Sequence, residues 1–154
     1  MKYYLLVTLF AVSPITVKGQ NNSIFLSGGS ALFFNTSASI SAQRNILTIG
    51  NIDLGVEVNY GKKSDFQIAR EIDDVNFTYN SAALVTLFKI RETRYFEINT
   101  GISRLTKKNS SNGDVSKFKE FYFALGFLWK YEKLNLRLGV SSQEMLNGSI
   151  GMHF

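Results

Sequence analysis

The chain has 154 residues, with 17 Lys and Arg against 12 Asp and Glu and a net charge of +5. One domain fits this length, and 45% hydrophobic residues with 14% aromatics exclude a disordered chain. The absence of cysteine excludes disulfides, thiolate chemistry, Cys-ligated metals and acylation at an N-terminal cysteine, and so mild a charge implies no nucleic-acid partner.

The opening stretch, "MKYYLLVTLFAVSPITVKGQ", has an early Lys2, an apolar run from Tyr3 to Val12, then Ser-Pro and small residues. This is the pattern of a cleavable secretory signal peptide. Val17 and Gly19 occupy the small-residue positions, so cleavage is expected after Gly19, with residues 1–19 removed and residues 20–154 forming the domain. A membrane-spanning helix needs about 20 apolar residues, and this run is too short. Removal of the leader leaves 135 residues and takes the only proline, Pro14; without Lys2 and Lys18 the net charge is +3.

Eight strands follow in chain order. "SIFLSGGSALFF" (23–34) comes first, and a Ser-rich stretch at 36–46 is included chiefly because strand pairing requires it. "NIDLGVEVNYG" alternates cleanly, with Ile52, Leu54, Val56, Val58 and Tyr60 opposite Asp53, Gly55, Glu57, Asn59 and Gly61. "VNFTYNSAALVTLFKI" (75–90) is less regular. "YFEINTGIS" sets Phe96, Ile98, Thr100 and Ile102 against Glu97, Asn99, Gly101 and Ser103. "KFKEFYFALGFLWKY" puts Phe121, Phe123, Leu125, Phe127, Trp129 and Tyr131 on one face, and "KLNLRLGVSS" does the same with Leu134, Leu136, Leu138 and Val140. The chain finishes on "NGSIGMHF" in the same period of two, which is the period of a strand with two unlike faces.

The connections are of two kinds. Short ones fall at 47–51, 91–94 and 131–133; longer ones fall at 62–74 and 106–117. In an antiparallel meander this alternation puts the short turns at one end and the longer loops at the other. The "DFQIA" segment within 62–74 suggests that pairing continues there as a protruding hairpin.

The less apolar face decides the environment. It carries Gly55, Asn59, Gly101, Ser103, Ala124, Gly126, Asn135, Gly139 and Ser141, which are small and neutral. A narrow eight-stranded lumen suits such residues, whereas the large Leu, Ile, Val and aromatic side chains would overfill it. The apolar face is therefore expected to point outward into hydrocarbon. Tyr60, Tyr79, Phe96, Phe121, Trp129 and Tyr131 lie near strand ends, as interfacial girdles require. The expected fold is all-β, an eight-stranded antiparallel up-and-down transmembrane β-barrel.

With its leader, eight strands and closing strand, the chain resembles the small eight-stranded outer-membrane β-barrel proteins of Gram-negative bacteria across residues 20–154. The resemblance implies a closing strand ending on an aromatic, with apolar residues at alternate positions, read by the outer-membrane insertion machinery. Ile150, Met152 and Phe154 match that assembly signal, while Ser149 stands where a glycine is usual. It also implies outer-membrane location, with the 62–74 and 106–117 loops outside.

Three sets of residues are candidates for function. Glu57, Glu97 and Arg137 fall on the lumen face, where a charge must be paired or hydrated; they are expected to form a charge network filling the lumen. Arg104, Lys107, Lys108, Lys117 and Lys119 surround one Asp114 and could meet the phosphates of lipopolysaccharide. His153 is the only histidine, and Ser149 lies four positions along the same face, too far along an extended chain to be its partner. No catalytic residue, metal site or cofactor is expected, and the protein is expected to be a monomer. The favoured role is structural or surface-interacting. A small diffusion channel is the alternative, and a soluble, lipocalin-like periplasmic carrier comes behind it.

Overall fold

Alternating sequence becomes strand throughout. The structure, a computed structural model, describes residues 22–31, 35–65, 75–109 and 113–154. The expected signal peptide lies outside these residues, as do positions 66–74 of one expected loop and 110–112 of the other. The strands are β1 (Asn22–Ala31), β2 (Asn35–Ile49), β3 (Ile52–Asp65), β4 (Val75–Arg91), β5 (Arg94–Asn109), β6 (Val115–Tyr131), β7 (Leu134–Ser141) and β8 (Leu146–His153). Each pairs antiparallel with its neighbour in sequence, and β8 returns to β1 from Ser23↔His153 to Ser30↔Leu146, closing the barrel. Closure leaves no unpaired edge in the apolar zone, which hydrocarbon would not tolerate.

Register fixes the geometry. Paired residues followed once round the barrel run Ile52, Phe88, Phe96, Phe127, Leu138, Gly148, Gly28, Ala38 and then Lys62, ten residues further along β3. With strands about 4.8 Å apart and a rise of about 3.3 Å per residue, that shear tilts the strands by about 40°. Each residue then advances about 2.5 Å along the barrel axis. The outward side chains of β6 from Tyr131 to Phe121 are all aromatic or Leu, a height of about 25 Å, that of a lipid-facing band. Ile102, Phe121, Ile150, Met152 and Phe154 are exposed on this band. Phe88, Phe96, Phe127 and Trp129 form a ladder of ring contacts across three strands, with centroids 5.6–6.5 Å apart.

Turn chemistry closes one end. Gly50–Asn51, Glu92–Thr93 and Glu132–Lys133 are two-residue connections, and Gly50 takes φ 58°, as tight hairpins require. At the other end the rim is uneven. β3 to β6 are 14 to 17 residues long, β7 and β8 only 8 each, so one side of the barrel stands as a tall wall.

Several sequence expectations change here. The stretch 106–117 is mostly strand: β5 continues to Asn109 and β6 begins at Val115, with Thr106↔Lys117, Lys107↔Ser116 and Lys108↔Val115 paired. Pairing beyond the apolar band satisfies the backbone, and the inward Leu105↔Phe118 pair supports it. Residues 62–65 likewise extend β3, paired with β4 as far as Ser64↔Asn76. The weak Ser-rich candidate is β2, running to Ile49. The β7–β8 connection, Ser142–Met145, is short although it lies at the tall end. Tyr79 is not in a girdle; it points into the lumen and is buried, because its parity on β4 is that of Ser81 and Ala83.

Candidate functional site

The lumen is filled in layers. At the turn end Phe25, Val85, Leu87 and Leu128 form an apolar plug, with Tyr95 packed against it. Beside it Lys130 lies 3.8 Å from Asp53 and 4.3 Å from the centre of the Tyr95 ring. Asn135, fully buried, donates to Ser23 Oγ (3.0 Å) and lies 3.1 Å from His153 Nδ1. His153 therefore belongs to a polar contact joining β1, β7 and β8, while Ser149 pairs with Ser27 instead (2.7 Å).

Above the plug, Glu57, Glu97 and Arg137 meet. Arg137 Nη2 lies 2.8 Å from Glu57 and 2.7 Å from Gln43 Oε1, its Nε lies 2.9 Å from Glu97, and its guanidinium stacks 4.1 Å from the Phe25 ring centre. The two carboxylate contacts are close charge contacts more than aligned hydrogen bonds. Asn99 donates to Glu97 (2.9 Å) and Gln43 to Asn45 (3.2 Å). Charges so deep survive only when paired, since the closed barrel wall keeps them from water.

Next comes a polar cavity lined by Ser41, Asn59, Asn99 and Tyr122, about 20 Å³ as traced by the centre of a water-sized sphere. The short β7–β8 turn folds over it. Gln143 and Glu144 are buried, Glu144 accepts a 2.6 Å hydrogen bond from the Tyr79 hydroxyl, and Ser141 and Glu144 bond each other within the turn. Three inward aromatics share one packing device, each standing opposite a glycine on the next strand: Phe25↔Gly151, Tyr79↔Gly61 and Tyr122↔Gly101. A Cβ at Gly61 would strike the Tyr79 ring, and one at Gly151 the Phe25 ring. The missing side chain gives the Tyr79 and Phe25 rings their space, whereas at Gly101 a Cβ would meet the β4 backbone at Ala82 and Ala83.

The cationic residues divide between two surfaces. Arg104, Lys108, Lys117 and Lys119 have the outward parity of Ile102 and Phe121, whereas Lys107 shares the inward parity of Ser103 and Leu105. Lys62 of β3, absent from the sequence-based set, joins the outward group. Cross-strand register forms two rows there, Tyr60–Asn80–Arg104–Lys119 and Lys62–Thr78–Thr106–Lys117, directly above the apolar band.

Asn99 and Tyr122 lie on the lumen face as the alternation predicts, without a role assigned to them by sequence, and Gln43 and the Tyr79–Glu144 pair carry no sequence expectation. A signal for Gln43 existed: Ser37, Ser39, Ser41, Gln43 and Asn45 give β2 an unbroken polar inward face.

No protein-family model matches the chain, and no curated protein does. Solved structures do. Ail, the attachment invasion locus protein of Yersinia pestis, in complex with the heparin analogue sucrose octasulfate, is similar over 89% of this chain and 97% of its own, at 10% identity and TM-score 0.61. The N-terminal β-barrel domain of Pseudomonas aeruginosa OprF is similar over 87% and 97%, at 11% identity and TM-score 0.55. Neisserial surface protein A covers 87% and 94%, at 14% identity and TM-score 0.54. The chain has the fold of the small eight-stranded outer-membrane β-barrels.

Proposed function

We propose that this chain is an exported, integral outer-membrane protein of a Gram-negative cell, with its turn end in the periplasm and its tall end outside. Its role is non-enzymatic: a monomeric structural and surface-interaction barrel that engages anionic groups of the envelope, foremost the phosphates of lipopolysaccharide. The carrying observation is the outward cation group, Lys62, Arg104, Lys108, Lys117 and Lys119, standing immediately above a band of hydrocarbon height. Exposed cations at that level meet phosphate as near-surface charges, each contributing on the order of 1 kcal/mol. The likeness to Ail, solved both with a sulfated polyanion and in a phospholipid bilayer nanodisc, supports the reading.

Binding of lipopolysaccharide to the barrel in vesicles tests it. Saturable binding that weakens with salt is expected, and the double variant Arg104→Gln/Lys119→Gln should weaken it on the order of tenfold. Equal affinity of the variant, or equal affinity for dephosphorylated lipopolysaccharide, would refute the role of these cations.

The apolar plug and the Tyr79–Glu144 closure argue against a diffusion channel, which needs a hydrated path. The outward apolar band argues against a soluble carrier, which would turn that face inward. Ile150 and Met152 on β8 and Phe154 just beyond it, paired through its backbone with Asn22, are exposed on the outward face, which supports their reading as the signal to the insertion machinery.

A further inference from the structure

We propose that the lumen cavity binds a small monovalent alkali cation, sodium or potassium. Charge gives the first reason. Glu57 and Glu97 share one guanidinium, that of Arg137, while Lys130 is engaged with Asp53 at the turn end. Glu144 closes the far side of the same cavity, where its carboxyl meets a hydroxyl rather than a cation. Among the described residues three carboxyl groups and one guanidinium line this space. Within a wall sheathed by hydrocarbon, an uncompensated negative charge is costly.

Unpartnered oxygens give the second, independent reason. Ser41 Oγ and Asn99 Oδ1 line the cavity on residues 3% and 2% exposed, and neither has a hydrogen-bond partner. Asn59 Oδ1 lacks one too. The wall thus presents carboxylate, amide carbonyl and hydroxyl oxygens together, the ligand set of a hard cation. Space and charge narrow the class. About 20 Å³ admits one or two water-sized occupants, which excludes polyamines and hydrated metal complexes. Among the described residues no group of three or more His, Cys, Asp or Glu could hold a metal ion, so a tightly bound multivalent metal is disfavoured. The small volume and the neutral amide and hydroxyl oxygens among the ligands favour a bare monovalent ion with a water at most.

Two measurements on the folded barrel in detergent test this. Thermal unfolding is followed in sodium, potassium or rubidium chloride against choline chloride at matched ionic strength. The midpoint should rise by roughly 4 °C for each tenfold increase in alkali cation above half-saturation and not rise in choline. Crystals soaked in rubidium chloride should carry an anomalous peak in the cavity. Glu57→Gln should abolish both signals; should that variant fail to fold, Ser41→Ala is expected to weaken the cation dependence severalfold without loss of folding. Equal midpoints in choline and alkali salts, a cavity without an anomalous peak, or a cation dependence unchanged in both variants would overturn the proposal. A midpoint that moves with pH but ignores alkali cations would overturn it as well, by assigning the compensating charge to a proton.

Discussion

Arg137→Ala is expected to destabilise the folded barrel by about 3–5 kcal/mol, the usual consequence of stripping the partner from buried charges. Glu57 and Glu97 are 2% exposed, and both face Arg137 at under 3 Å. Removing the guanidinium leaves two carboxylates with no solvent, and also frees the Gln43 carbonyl and uncovers the Phe25 ring. Unfolding by urea in lipid vesicles measures the loss. The neutral triple variant Arg137→Leu/Glu57→Gln/Glu97→Gln should recover most of it, because the cost lies in unpaired charge and not in the absence of the ion pair. An Arg137→Ala midpoint equal to the parent's would remove the network from the account.

Gly101→Val is expected to cost about 3 kcal/mol or to block folding outright, as overpacking against an immovable neighbour does. A Cβ at Gly101 would fall on the Ala82 carbonyl and the Ala83 Cα of β4, and backbone cannot yield there without breaking the β4–β5 ladder. Closure makes the cost cooperative, since a barrel wall that shifts at one seam opens at another. Gly148→Ala is the control. Its Cβ would meet nothing within 4 Å, so the folded fraction in detergent, read from heat-modifiable gel migration, should match the parent's. Parallel behaviour of the two variants would contradict the register assigned to β4 and β5.

How far the sequence could be read depended on contrast between faces. β3, β5, β6 and β7 have one apolar and one small or polar face, and their period of two is plain. β4 lacks that contrast at its turn end, because inward Val85 and Leu87 belong to the apolar plug while outward Leu84 and Phe88 are exposed on the apolar band. With both faces apolar there, alternation carries no direction, and Tyr79 on the same strand was placed in a girdle when it faces the lumen. β2 is weak for another reason: its outward Thr36, Ala38 and Ala42 are small, and Ile40 alone among positions 36–42 sets that face apart from the serine-rich interior.

The candidate site was legible only as strand-face residues. Glu57, Glu97 and Arg137 could be assigned to the lumen by parity, but their meeting at one height depends on shear, which no single strand encodes. Nothing in the sequence marks Glu144. A polar turn ordinarily faces water, and what turns this one inward is a tyrosine 65 residues away. The cation run of 104–119 appeared as one loop, whereas pairing sends Lys107 to one surface and Arg104, Lys117 and Lys119 to the other.

The central claim is that the apolar face meets lipid and the polar face closes on itself. Because the chain has no cysteine, single cysteines at Ile98, Asn99, Thr100, Ile102 and Ser103 can carry spin labels in vesicles without further engineering. Labels at 98, 100 and 102 should be relaxed by oxygen dissolved in the bilayer, and those at 99 and 103 should be shielded from both oxygen and a water-soluble relaxant. Shielded labels at 98, 100 and 102, with water-accessible labels at 99 and 103, would mean an inward apolar face and would contradict the membrane barrel.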